Sequence, residues 1–186
     1  MAVTGDCGPE IAEIVASHVL DVPGFPKDGI VFKDLSPLFA DGPAFRRTVD
    51  AIVELYGGST PRFDIVAGIE ARGFLLAAAI AYATGTGVVP VRKAGKLPRE
   101  TNSATYALEY GTATLEVHAD AFFGGNGRRV LVVDDVLATG GTAAATLSLV
   151  ERSGGTIAGF VVVLELGFLN GRNALPGREV HALLTT

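Results

Sequence analysis

The sequence predicts an α/β fold: a Rossmann-like parallel sheet flanked by helices. Two observations carry this. Apolar strands, above all the unbroken run Val130–Val133, are separated by helical segments. Strands of that kind are buried on both faces, as a parallel sheet covered by helices requires. The length of 186 residues suits a single domain spanning 1–186, at about 100–200 residues per domain, with room for one core.

The elements follow in order. Ile11, Ile14, Val15 and Val19 recur at helical spacing, so a first helix ends before Pro23. His18 falls on the same face and reads as a packed or hydrogen-bonded structural histidine. A Pro/Gly-rich loop covers 21–37. Pro43 opens a second helix, marked by Phe45, Val49, Ile52, Val53 and Tyr56. Phe63–Glu70 reads as a strand, Ala71–Ala83 as an Ala-rich helix and Gly87–Lys93 as a strand. Thr105–Tyr110 and Thr112–His118 alternate polar and apolar residues around Gly111, which suits an inserted hairpin or mobile flap. Arg128–Val136 is a strand and Thr142–Arg152 a helix with Ala143, Leu147 and Val150 inward. Ile157–Leu166 and Val180–Leu184 are further strands.

Composition excludes several classes. Hydrophobic residues at 48% and charged residues at 19% exclude an intrinsically disordered chain. A net charge of -5 argues against a general nucleic-acid or anionic-membrane binder. The single cysteine, Cys7, read as part of a mobile N-terminal tail, excludes a disulfide framework or a Cys-rich zinc site. A reducing, cytoplasmic setting is expected, and no signal peptide is read. Gly73–Val91 is uncharged, but Thr84, Gly85, Thr86, Gly87 and Pro90 interrupt it, so it reads as helix, turn and strand rather than a membrane span. No motif predicts a protein-bound metal.

Val130–Thr142 is the most informative segment: an apolar strand, the carboxylates Asp134 and Asp135, the turn Ala138-Thr139-Gly140-Gly141, and a helix start at Thr142. Strand ends face the ligand crevice of an open α/β sheet. Gly140 and Gly141 let backbone N–H groups close around an anion, the helix N-terminus adds a favourable dipole, and the hydroxyls of Thr139 and Thr142 add donors. That is a cradle for a phosphate monoester. Two carboxylates beside it would repel the phosphate, so they suit ribose hydroxyls and a carbon that develops positive charge. Gly95-Lys96 lacks the upstream Gly of a P-loop, and Gly85-Thr86-Gly87 runs into Pro90 rather than a third dinucleotide-motif glycine.

Val132-Val133-Asp134-Asp135-Val136-Leu137-Ala138-Thr139-Gly140-Gly141-Thr142 resembles the signature loop of the type I phosphoribosyltransferases, which use 5-phosphoribosyl-1-pyrophosphate. Three further segments are similar to the adenine-using branch of that family: Phe25–Asp34, Gly68–Phe74 and Leu108–Gly111. The resemblance implies a small N-terminal hood (about 1–37), a flexible flap (about 100–120) and a homodimer. The implied reaction converts adenine and 5-phosphoribosyl-1-pyrophosphate into AMP and pyrophosphate, with Mg2+ held mainly through the substrate. It implies that Ala138–Thr142 hold the 5′-phosphate and that Asp134 and Asp135 hold the ribose hydroxyls. It further implies that Arg72 and Lys93 contact pyrophosphate, with Lys96 assisting, and that a nonproline cis peptide stands at the turn before Arg72.

Phe25, in a stiff loop beside two prolines, suits either stacking on a flat purine or pinning the loop to the core. The resemblance favours stacking, with main-chain groups of Val22 and Lys27 reading the base edge. Asp28 stands where the family commonly has Pro. Glu109 and Tyr110 suit ordinary edge-strand alternation; the resemblance instead makes Glu109 an acid/base group near the purine and has Tyr110 close the site. Arg92 and Arg99 also fit solvated surface charge, Arg99 especially. Another purine acceptor (hypoxanthine or guanine) and a non-catalytic phosphoribosyl-pyrophosphate sensor remain open as alternatives.

Overall fold

The computed structural model describes residues 5–107, 111–123 and 127–186. Helix α1 (Pro9–His18) is followed by strands β1 (Leu20–Pro23) and β2 (Val31–Asp34), helix α2 (Ser36–Ala40) and helix α3 (Gly42–Leu55). Then come β3 (Ile65–Ile69), α4 (Gly73–Thr84), β4 (Gly87–Lys93), β5 (Thr101–Ala107) and β6 (Thr112–His118). The chain ends with β7 (Arg129–Leu137), α5 (Gly141–Arg152), β8 (Thr156–Glu165) and β9 (Val180–Thr185). Two short 3-10 turns, Gly167–Leu169 and Gly171–Ala174, precede β9.

Seven strands form one sheet in the order β5-β6-β4-β3-β7-β8-β9. The five from β4 to β9 pair in parallel, and the β5–β6 hairpin extends that edge antiparallel. The alternation of side chains explains why the central strands are apolar throughout. Val66, Leu131, Val133, Val161 and Val163 point into a core shared with α1–α4. Ile65, Ala67, Val130, Val132 and Val162 point into a second core under α5. The helix over the first core sits close: a Cβ on Gly68 would lie 2.7 Å from that of Ala77.

Three expectations need correction. The 21–37 loop is not plain loop: it contains nearly all of the antiparallel pair β1–β2, registered from Leu20↔Asp34 to Pro23↔Val31, and the first two residues of α2. Four-residue strands with no fully buried residue leave no readable period. The hairpin's first strand begins at Thr101 rather than Thr105, because Thr101, Asn102 and Ser103 pair with His118, Val117 and Glu116 without an apolar alternation. Cys7 is half-buried against the first core rather than in a loose tail, because Asp6 exchanges hydrogen bonds with Ala182 of β9, 2.8 Å in each direction. His18 is hydrogen-bonded, with Nδ1 2.8 Å from the Ile14 carbonyl oxygen. No helix among the described residues is long and apolar enough to cross a membrane.

Candidate active site

The predicted cradle forms where β7 passes into α5. Gly140 takes φ 85°, in the left-handed region, and no side chain caps the helix. The first N–H groups of α5 are therefore open to an anion. Residues 138–142 and Asp134 line a cavity of about 90 Å3, a fit for one tetrahedral oxyanion. The loop is braced from behind: a Cβ on Gly140 would lie 2.3 Å from the Gly171 carbonyl oxygen, and one on Gly171 2.2 Å from that of Ala138. Arg172 anchors the bracing turn. Its Nε donates to both oxygens of the buried Glu165 at 2.9 and 3.0 Å, and its Nη1 donates to the Val180 carbonyl at 2.9 Å.

The two acids face different surroundings. Asp134 Oδ1 accepts from the Asp135 amide at 2.9 Å, and α4 begins almost in contact: a Cβ on Gly73 would lie 3.1 Å from that oxygen and 2.8 Å from the Val133 carbonyl. Burial first, and the Asp135 charge second, push the Asp134 carboxyl well above the usual carboxylate range. Asp135 is 6% exposed. Its Oδ2 lies 2.7 Å from Arg72 Nε but off the direction of the N–H bond, so the contact is an ion pair and the oxygen receives no hydrogen bond among the described residues. A buried carboxylate oxygen in that condition is an acceptor waiting for a donor.

Arg72 joins this site to the N-terminal loop. Its guanidinium lies 5.3 Å from the centroid of Phe32, and Phe32 meets Phe25 edge-on at 5.1 Å. Phe25 is 52% exposed, so one face of its ring is open to a planar ligand. Val22 pairs with Phe32 in the β1–β2 register, and Lys27 lies in the intervening turn, where its carbonyl accepts from the Ile30 amide at 3.3 Å. The Phe25–Pro26 peptide is cis.

The Glu70–Ala71 peptide is also cis, as the resemblance implied. A cavity of about 290 Å3 adjoins it, lined by Glu70, Arg72, Lys93, Asp134 and Asp135 among others. Glu70 gathers the nearby cations. Its carboxylate accepts from the Lys93 amide at 2.9 Å, from Arg92 Nε at 3.4 Å and from Lys96 Nζ. The Lys96 hydrogen bond is the main cause holding that carboxyl below its ordinary value. Lys96 is thus tethered at the rim, whereas the Lys93 ammonium has no ion pair among the described residues. Arg99 pairs on the surface with Asp120 at 2.7 Å.

The structure therefore brings Arg72, Lys93, Asp134, Asp135 and residues 138–142 to one cleft at the carboxyl ends of β3, β4 and β7, with Phe25 linked to it through Phe32. Glu109 and Tyr110 lie outside the described residues. Sequence reasoning did not single out Glu70, Phe32, Tyr106 or Arg172. Glu70 left the clearest signal, an acid directly before the Ala-Arg-Gly turn and opposite a run of cations.

The sequence pattern of the phosphoribosyl transferase domain family matches residues 40–175. An adenine phosphoribosyltransferase from Salinispora tropica is 70% identical over 183 residues, which are 98% of this chain and 95% of that one. Among solved structures, adenine phosphoribosyltransferase from Thermoanaerobacter pseudethanolicus superposes with a TM-score of 0.87 at 45% identity, covering 94% of this chain and 99% of its own. The Saccharomyces cerevisiae enzyme, complexed with an imino-altritol bisphosphate and adenine, gives 0.86 at 39% identity, with coverages of 94% and 99%.

Proposed function

Because the chain belongs to the phosphoribosyltransferase family, we propose that its cleft transfers the ribose 5-phosphate unit of 5-phosphoribosyl-1-pyrophosphate to adenine, giving AMP and pyrophosphate. That is a pentosyltransferase reaction of purine salvage. Near-full-length identity to adenine-using relatives carries the choice of acceptor; the cleft supports the choice of donor.

Each group then has a task. Ala138, Thr139, Gly140, Gly141 and Thr142 hold the 5′-phosphate through N–H and hydroxyl donors. Asp134 and Asp135 accept from the ribose hydroxyls and face the anomeric carbon as it gains positive charge. Arg72 and Lys93, with Lys96 at the rim, stabilise the charge that collects on the departing pyrophosphate. Phe25 stacks on adenine, and the main chain at Val22 and Lys27 reads its edge. The attacking ring nitrogen loses a proton, for which Glu109 is the acceptor, and Tyr110 helps to exclude water.

Mg2+ fits this donor set. The orphaned Asp135 oxygen and the neighbouring Asp134 are hard oxygen donors, and the described residues contain no cluster of three acids or histidines to cage an ion. An ion that keeps its waters and substrate oxygens suits such a site. When bound, it supplies charge neutralisation between sugar and leaving group.

The test is product formation from the activated sugar with adenine, hypoxanthine, guanine and xanthine in parallel, for the parent and Phe25→Ala. AMP forms fastest in the parent. The substitution raises the KM for adenine by about tenfold or more, the scale of losing one aromatic–base stack, with a smaller change for the donor. Preference for hypoxanthine or guanine would move the acceptor assignment, and no product with any base would favour a donor-sensing protein.

We also propose a homodimer formed through α4. That helix exposes Leu75 at 50% and Tyr82 at 91%, seven residues apart on one face, and Val88 of β4 is 50% exposed nearby. Apolar surface of this kind marks a protein contact. Sedimentation equilibrium should give a dimer that Tyr82→Glu dissociates; a monomeric parent would overturn the proposal.

A further inference from the structure

Strand β5 lies along helix α5 and is fastened near both of that helix's ends. At the C-terminal end, Asn102 Nδ2 donates to Ser153 Oγ at 3.0 Å and Arg152 Nη2 donates to the Ser103 carbonyl at 2.9 Å. At the N-terminal end, Thr142 Oγ1 donates to Tyr106 Oη at 3.2 Å. The strand thus runs back along the helix and delivers one phenol to the phosphate loop. Tyr106 packs on the core under α5 and lines the same cavity as Arg72, Lys93, Asp134 and Asp135. The phenol's only hydrogen bond among the described residues is the one to Thr142.

Both partners are hydroxyls, so each can donate or accept. Thr142 has a single hydroxyl proton, and in the structure Tyr106 receives it. A phosphate oxygen in the loop is an acceptor and needs that same proton. The pair satisfies all three oxygens only by reversing: the Tyr106 O–H turns to Thr142 Oγ1, and the Thr142 O–H turns to the phosphate. Hydrogen bonds in such a chain polarise and strengthen one another.

We infer that Tyr106 is a positioning residue for the donor's 5′-phosphate, acting through Thr142. This rests on the proposed use of residues 138–142 as the phosphate site. A phenylalanine would keep the ring packing and remove only the proton that fixes the Thr142 hydroxyl. The Tyr106→Phe protein therefore tests the role without removing core volume.

Calorimetry with ribose 5-phosphate and steady-state kinetics read the effect. In Tyr106→Phe, the affinity for ribose 5-phosphate falls and the KM for 5-phosphoribosyl-1-pyrophosphate rises, each by about three- to tenfold, the scale of one hydrogen bond. The KM for adenine and the melting temperature stay at parent values. Thr142→Val weakens ribose 5-phosphate binding by more than Tyr106→Phe does, and combining the two substitutions costs nothing further. Unchanged ribose 5-phosphate affinity in Tyr106→Phe, or losses that simply multiply in the double variant, would overturn the role. A parent that binds ribose 5-phosphate but makes no AMP would sink the transferase reading alone. A parent that does not bind ribose 5-phosphate overturns both.

Discussion

Asp135→Asn leaves a folded protein whose turnover falls by about 10²–10⁴-fold, the range for losing a group that meets charge developing in the transition state. Asparagine keeps the shape of a side chain that is 6% exposed and removes only its charge. Arg72 then loses the carboxylate 2.7 Å from its Nε, and the sugar loses an anionic acceptor. Near-parent turnover would remove Asp135 from the ribose site.

The neighbouring acid gives a contrasting result. The native Asp134 carboxyl holds its proton to higher pH than the ordinary value of 3.8, chiefly because it is buried and then because of Asp135. Above that value the native chain binds more protons than the unfolded one, so Asp134 makes stability fall as pH rises through its raised native value. Asp134→Asn removes this slope. The variant is more stable than the parent at neutral pH, the gain shrinks as pH falls toward about 4, and turnover drops. Urea midpoints across that pH range check it; a stability difference independent of pH would show that Asp134 is not strained by its charge. A site acid that costs stability is a familiar trade between function and fold.

Gly140→Ala is the second large effect. The new methyl would lie 2.3 Å from the Gly171 carbonyl oxygen and 2.8 Å from Ala174 Cβ, in a residue whose φ is 85°. Backbone, not a flexible side-chain end, stands in the way, so the loop or the turn behind it must move. Stability falls by about 1–3 kcal/mol for the backbone conformation alone, and the donor KM rises by about tenfold or more as the N–H groups lose their aim. Gly177→Ala is the control. Its φ is +70° with nothing within 4 Å of the added Cβ, so it loses stability without changing the donor KM. Equal donor KM values in the two variants would show that the bracing of the loop does not matter.

How much was legible depended on distance along the chain. The cradle was readable because strand, acids, turn and helix start are contiguous, and Gly87–Lys93 was readable because both ends are marked by composition. The β1–β2 pair was hidden because strands of four residues, none of them fully buried, carry no period. The grip of Glu70 on Lys96, 26 residues on, and the reach of Tyr106 to Thr142, 36 residues on, depend on strand order. So does the bracing of the cradle by Gly171, fixed through Arg172 to Asp6, 166 residues away. No local pattern encodes contacts of that kind; the sheet creates them.

The contact series Phe25–Phe32–Arg72–Asp135 has a thermodynamic consequence. With Phe25 at the base and Asp135 at the sugar, as proposed, the two substrate positions share Phe32 and Arg72 as their intermediates. Any factor by which bound donor alters the affinity for adenine is then returned unchanged by bound adenine to the donor. The expected result is an adenine affinity that bound donor changes by a factor which Phe32→Leu alters, read by adenine titrations with and without donor; a factor of one in the parent would show two independent compartments.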